Sequence, residues 1–300
     1  MGEIQPGKYL TITSGDSLLR AHYHEMGPAS GPPLIFVQTG GAATDAWMCW
    51  YLTLPAFAEA GYHVFAPDSL GFGDTALIRG ANVSGPDFLL AFLGAVGVEG
   101  AHFIGNSGGT MAITLLASNH PERVLSFTAS GGEPRAATAD AVSITPRLGR
   151  TARMEFVRNM LTKPEVSLAD MRQATSAFFF DSGHRRVAEV AEMRLANLRK
   201  PGVQEKERQG AFAQVQSGRQ LLGDEVFRRI EAPTYLLHGR DEPGFYGSED
   251  QSILLDAALR PVHLIPRCDS TVLANCGHWP QLEVPDRYVS LCLDFLGSLA

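Results

Sequence analysis

Five short apolar runs, separated by stretches long enough for helices, constrain this chain more than any other feature of its sequence. They span 34–38, 62–66, 101–105, 124–129 and 234–238. Leu34-Ile35-Phe36-Val37 is apolar at successive positions rather than alternate ones, the pattern of a strand covered on both faces. The intervening stretches 46–60, 86–96 and 108–119, and later 249–259, read as helices. Strands that alternate with helices predict an α/β fold, with a mostly parallel central sheet and helices on both faces. Two earlier runs, 9–13 and 18–23, add strands on either side of Ser14-Gly15-Asp16.

The alternation breaks once. From about 133 to 216 no convincing strand appears, while helical stretches at 151–161, 168–180 and 186–199 continue. Lys163-Pro164 and Lys200-Pro201-Gly202 are helix-stop signals at their flanks. An all-helical insertion between two strands of a sheet reads as a lid. The expected division is a core of 1–133 and 214–300 with a lid of 134–213. Such insertions lie at strand carboxyl ends, where α/β folds place their ligand sites.

Composition excludes several functions. At 300 residues and 45% hydrophobic, the chain can bury one full α/β domain with its insertion. Its net charge is -7, and the longest basic patches are the pairs Arg185-Arg186 and Arg228-Arg229. Nucleic acid is therefore not an expected partner. Cys49, Cys268, Cys276 and Cys292 form no C-x-x-C pair, which argues against a metal centre or a disulfide framework and for a reducing compartment. The H-x-H pair His22 and His24 has no third ligand nearby. The first residues lack a basic start and an apolar stretch, and no window is long and apolar enough to cross a membrane. The expectation is a soluble, cytoplasmic protein with no metal and no cofactor; a homo-oligomer stays open.

The chemistry concentrates in Ala101-His102-Phe103-Ile104-Gly105-Asn106-Ser107-Gly108-Gly109. It reads as a strand, a Gly-x-Ser-x-Gly turn and then an amphipathic helix. The sharp turn exposes the hydroxyl, and glycines two before and two after let the neighbouring strands and helix approach. The helix N-terminus offers unpaired N–H groups, that of Gly108 among them, to a developing oxyanion. Ser107 is thus the candidate nucleophile. His278, in Cys276-Gly277-His278-Trp279-Pro280, lies just before the final helix at 285–296, last in the order serine, acid, histidine. It is the candidate base.

The acid is open between the adjacent Glu242 and Asp241, which follow the strand at 234–238 through Gly239-Arg240. Glu133, after Gly131-Gly132, is a third candidate whose alternative is helix capping. Gly71-Phe72-Gly73-Asp74-Thr75-Ala76 fits a dinucleotide-binding pattern, but 77–82 do not open a helix, so it reads as a loop.

With these residues the chain resembles the α/β-hydrolase superfamily, and within it the meta-cleavage product hydrolases, which break C–C bonds in aromatic degradation. The resemblance rests on Gly105-Asn106-Ser107-x-Gly109, on Asp68-Ser69-Leu70-Gly71-Phe72-Gly73, and on Cys276-Gly277-His278-Trp279-Pro280-Gln281-x-Glu283. It implies a 2-hydroxy-6-oxo-dienoate substrate, with Asn106, Trp279 and a lid arginine touching it. Arg172 looks similar to that arginine. The family's acid, an aspartate three residues after a glycine, falls on Glu242, with Asp241 second. The family's His-Gly pair is replaced by Gln38-Thr39, followed by Gly40 and Gly41. Gly40 and Gly108 are expected to supply the oxyanion hole, and Gly41 a substrate contact. Other readings of the same machinery are an esterase or lactonase, a small-molecule receptor, and a cofactor-free oxygenase working through the histidine and its acid.

Overall fold

The computed structural model describes residues 7–15, 17–75, 83–148, 152–208, 221–242 and 248–299. Its strands are β1 (Lys8–Ser14), β2 (Ser17–Met26), β3 (Pro33–Val37), β4 (His63–Pro67), β5 (Ala101–Asn106), β6 (Val124–Ser130), β7 (Thr234–Gly239) and β8 (Cys268–Leu273). They form one sheet in the order β1-β2-β4-β3-β5-β6-β7-β8. β1 pairs antiparallel with β2 and β2 with β4, and every later pairing is parallel. The five apolar runs occupy the five central strands, where both faces are covered. Helices Gly85–Ala95 and Gly108–Asn119 contribute to the apolar cluster on one face. Helices Ala46–Trp50, Leu54–Glu59 and Pro285–Gly297 contribute to the cluster on the other.

Two elements differ from the sequence reading. The helix expected over 46–60 is two helices, because Pro55 sits at the start of the second and cannot continue the first. β8 was not legible: Cys268-Asp269-Ser270-Thr271-Val272-Leu273 is an edge strand, and only Leu273 is fully buried. It nonetheless pairs with β7 from Thr234 to Gly239.

Because the central strands are parallel, their carboxyl ends share one edge of the sheet. The loop after β3, the Ser107 turn after β5, Gly131-Gly132 after β6, Glu242 after β7 and His278 after β8 all leave from that edge. Between β6 and β7 the described residues hold helices, including Ala139–Leu148, Ala152–Thr162, Leu168–Ser176, Arg186–Leu198 and Val203–Arg208, and one isolated bridge, Ala136 to Leu222. Several of these helices build a small core from Val157, Met160, Leu161, Met171, Ala174, Ala191, Leu195 and Leu198. That core closes on Ala42 and Ala43 of the loop after β3. The lid boundary expected at 213/214 and the first residue of the helix expected at 151–161 lie outside the described residues.

The loop at Gly71–Thr75 wraps a carboxylate. Asp68 is 1% exposed and accepts from the Ala46 and Asp74 amides, both at 2.8 Å. Its Oδ2 also lies 2.7 Å from His22 Nδ1. A Cβ at Gly73 would stand 2.0 Å from Asp68 Oδ2, so the glycine belongs to this cradle. The rest of the dinucleotide-like stretch, 76–82, is outside the described residues. Among the described residues no helix is long and apolar enough to cross a membrane.

Candidate active site

Ser107 sits at φ 51°, ψ -121°, a backbone conformation that L residues adopt only where the surroundings over-determine it. Here they do. Its amide donates to Ser130 O at 2.8 Å, and its carbonyl accepts from the Thr110 amide at 2.8 Å and hydroxyl at 2.6 Å. The flanking glycines are required by close approach. A Cβ at Gly105 would fall 2.6 Å from Ile113 Cδ1, and one at Gly109 would fall 2.4 Å from Val37 O and 2.6 Å from Gln38 O. The backbone of β3 cannot yield as a side chain would. Gly109→Ala is expected to cost about 1–3 kcal/mol of unfolding free energy, measured by urea denaturation. An unchanged midpoint would show that the helix can slide away from β3.

His278 is 1% exposed and its loop is fastened on two sides. Its amide donates to Phe178 O at 2.8 Å, and its carbonyl accepts from Asn106 Nδ2 at 3.1 Å, next to Ser107. A Cβ at Gly131 would meet Asn106 Nδ2 at 2.7 Å and both Ser107 N and His278 O at 3.0 Å, so the serine turn and the histidine loop converge there.

His278 Nδ1 lies 3.1 Å from Glu242 Oε2. Burial opposes ionisation of Glu242, but the charge and hydrogen bond of His278, then the field of Arg135, outweigh it and hold this carboxyl below its ordinary range. The other two carboxylates are committed elsewhere. Asp241 bonds Arg240 Nε at 3.1 Å and the Asn275 amide at 2.7 Å. Glu133 pairs with Arg135 Nη1 at 3.3 Å. Of the three candidate acids, the structure thus sets Glu242 at the histidine ring.

Gly40 and Gly108 meet: a Cβ on Gly108 would be 3.4 Å from Gly40 N. Thr44 Oγ1 pins the Gly40 loop by donating to Thr39 O at 3.2 Å and Gly41 O at 3.0 Å. A Cβ on Gly41 would lie 3.8 Å from Phe178 Cζ. Phe178 stacks on Trp279 with centroids 3.8 Å apart and planes at 8°. Arg194, 1% exposed, lies 5.5 Å from the Phe178 ring centre and 5.8 Å from that of Trp279. Its Nη2 and Nε donate to Ala42 O at 2.9 and 3.2 Å, and its Nη1 to Thr175 Oγ1 at 2.9 Å. Burial lowers its pKa to about 10, against the field of Glu207, so it remains a cation at neutral pH.

Arg172 is corrected by these contacts. Its side chain is 49% exposed and pairs at 3.6 Å with Glu192, which is itself exposed. Helix Leu168–Ser176 buries Met171, Ala174 and Thr175 instead, and Arg172 falls off that stripe.

A hydroxyl on a strained turn, an imidazole with a buried carboxylate at its Nδ1, and the close approach of Gly40 to Gly108 are parts from which acyl transfer can be built. A model of the alpha/beta hydrolase fold matches residues 32–285. The chain belongs to the α/β-hydrolase family. The hydrolase is 30% identical over 291 residues to 2-hydroxymuconate semialdehyde hydrolase of Pseudomonas sp. strain CF600, covering 93% of this chain and 91% of the relative. It is 27% identical over 302 residues to the 2-hydroxy-6-oxononadienedioate/2-hydroxy-6-oxononatrienedioate hydrolase of Paraburkholderia phymatum, covering 99% and 97%. Among solved structures, a meta-cleavage product hydrolase from Pseudomonas fluorescens IP01 superposes with a TM-score of 0.76 at 26% identity, covering 99% of this chain and 100% of that one.

Two features of the hydrolase's site escaped the sequence reading. Arg194 had a signal: Val187, Val190, Ala191, Arg194, Leu195 and Leu198 are all buried on one helix, so a charged residue occupies the apolar stripe. Phe178 was placed in a helix over 168–180, but that helix ends at Ser176, freeing residues 178–180 to run beside the His278 loop. Asn106, expected at the substrate, also donates to Ser130 Oγ at 3.1 Å and Gln281 Oε1 at 3.3 Å, which ties the serine turn to the histidine loop. Among the described residues no group of three His, Cys, Asp or Glu side chains could hold a metal ion.

Proposed function

We propose that the hydrolase cleaves a C–C bond in a 2-hydroxy-6-oxo-dienoate, with residues 134–213 as its lid. The observation that carries this reading is Arg194, a buried guanidinium beside the Trp279–Phe178 pair and the Gly40 loop. Its hydrogen bonds go to a carbonyl and a hydroxyl, neither of which neutralises it. Glu207, the carboxylate whose field reaches it, bonds the Ala43 amide. A cation held this way suits a substrate whose far end is a carboxylate, and the relatives named above act on such acids.

In this reading His278 takes the Ser107 proton and the serine oxygen attacks the 6-oxo carbon. Gly40 and Gly108 donate to the oxyanion. Before that attack a proton moves from the 2-hydroxyl to C5, giving a 2,6-dioxo-3-enoate. When the C5–C6 bond then breaks, its electron pair passes into the 2-oxo-3-enoate as a dienolate, which is protonated to the 2-hydroxydienoate. Water, activated by His278, releases the carboxylic acid from Ser107. Glu242 orients the imidazole; Asp241 supports the loop. The substrate is a small molecule, the chain supplies every group used, and the enzyme works in the cytoplasm.

A panel of dienoates, aryl esters and lactones, assayed together, tests the reaction; a preference for neutral esters would make the protein an esterase. Arg194→Met adds a second check. Loosening of the Ala42 loop lowers turnover of every substrate, but a dienoate also loses charge-assisted bonds worth roughly 1.5–3 kcal/mol each. Its kcat/KM is expected to fall about ten- to a hundred-fold further than that of a neutral aryl ester. Equal losses would confine Arg194 to the loop.

A further inference from the structure

We propose that Glu283 is a positioning residue for turnover, its carboxylate holding lid residues 178–180 against the loop that carries His278. The proposal rests on the serine–histidine reading above, and nothing in that mechanism uses Glu283.

The local chain is folded for this contact. Trp279 O accepts from the Leu282 and Glu283 amides at 2.9 and 3.0 Å, turning the backbone so that the Glu283 side chain returns to Gly277. Its Oε1 accepts the Gly277 amide at 2.8 Å, and its Oε2 accepts the Phe180 amide at 3.0 Å. The third bond of the set runs from the His278 amide to Phe178 O at 2.8 Å. One carboxylate therefore bridges lid and core on both sides of the His278 backbone. The fit leaves no room for a side chain at Gly277, whose Cβ would lie 2.7 Å from Phe178 O, 2.8 Å from Phe180 N and 2.9 Å from Glu283 Oε1. Since Phe178 also stacks on Trp279, the bridge sets the aromatic wall and the imidazole together.

The bridge needs the ionised form. A carboxylate gives each N–H donor its own acceptor oxygen, whereas a protonated acid turns an O–H toward one of them. Burial raises the Glu283 pKa to about 7; the Phe180 and Gly277 amides oppose this, and Glu242 and Asp181 add to it. Cys276 feels the Glu283 charge, and Arg287 and Asp241 act on the same thiol; His278 is the residue next to Gly277. Because the folded value lies above the ordinary one, this group favours the folded state most at low pH, and that contribution is lost as pH rises through about 7. Turnover runs the other way, weakening as pH falls through the same range.

The test compares wild type, Glu283→Gln and Glu283→Asp from the acid to the alkaline side of neutrality. The readouts are the rate of Ser107 labelling by a fluorophosphonate and kcat on a neutral aryl ester. Glutamine sets an N–H against an N–H, so labelling and kcat are expected to fall about tenfold, the loss of one modest hydrogen bond, with KM changing less. The Glu283 component of the acid limb should vanish in the glutamine variant and return in the aspartate one. A glutamine variant with the wild-type rate and pH profile, while wild-type Ser107 labels normally, overturns this proposal alone. If neither variant folds, Glu283 is a folding residue and the proposal fails. If wild-type Ser107 resists the probe, the nucleophile assignment fails and takes this one with it.

Discussion

Ser107→Ala is expected to lower turnover by about 10⁴-fold or more and to leave the urea midpoint of unfolding nearly unchanged. The hydroxyl is the only group removed. The strained backbone is held by the Ser130 carbonyl, the Thr110 amide and the Thr110 hydroxyl, none of which bonds the serine side chain. Alanine meets the same steric cost at φ 51° as serine does. Substrate binding should persist, because the buried Arg194 and the Trp279–Phe178 stack are untouched. Single-turnover kinetics on the purified variant make the measurement. Retention of most of the wild-type rate would leave only His278 and Glu242 to do the chemistry, and would turn attention to the cofactor-free oxygenase reading.

Glu242→Gln should cost about 10³–10⁴-fold in kcat. The carboxylate lies 3.1 Å from His278 Nδ1 and favours the tautomer with the proton there, which leaves the other ring nitrogen unprotonated and able to act as a base. An amide can present its N–H to the ring and favour the wrong tautomer. Asp241→Asn should change kcat little, since Asp241 holds Arg240 and the Asn275 amide instead. A reversed ranking would move the acid to Asp241. There is a stability signature as well. The Glu242 carboxyl lies below its ordinary range in the folded chain, so its contribution is present above that range and is lost as pH falls through the folded value. Acid unfolding of Glu242→Gln should therefore lack that component of the wild-type pH dependence.

What could be read from sequence depended on how many neighbours each residue had to satisfy. Leu34-Ile35-Phe36-Val37 is buried on both sides, so its composition alone marked a central strand. Ser107 was legible because the turn needs glycines at fixed offsets, and the contacts of Gly105 and Gly109 show why. β8 was invisible because an edge strand with one flank open tolerates Asp269, Ser270 and Thr271. Glu242 could be ranked above Asp241 only by resemblance, since adjacent residues leave a strand in different directions and local composition does not say which faces the ring. Arg172 was chosen on resemblance of its surroundings; helix phase would have preferred Arg194, whose neighbours at 190, 191, 195 and 198 are all buried.

The grip of the helices between β6 and β7 on the loop after β3 bears on how such enzymes, with those helices as the proposed lid, could be recombined. Arg194 donates to Ala42 O, Asn197 to Ala43 O, and Glu207 accepts the Ala43 amide. The backbone they hold begins one residue beyond Gly41, in the loop whose Gly40 comes close to Gly108. A lid grafted from a relative as a self-contained cassette would bring its own specificity walls but would also inherit this tether. Unless the graft preserved the residue types at 194, 197 and 207, a swap intended to change only substrate preference would slacken the catalytic loop beneath it, and every substrate would be turned over more slowly.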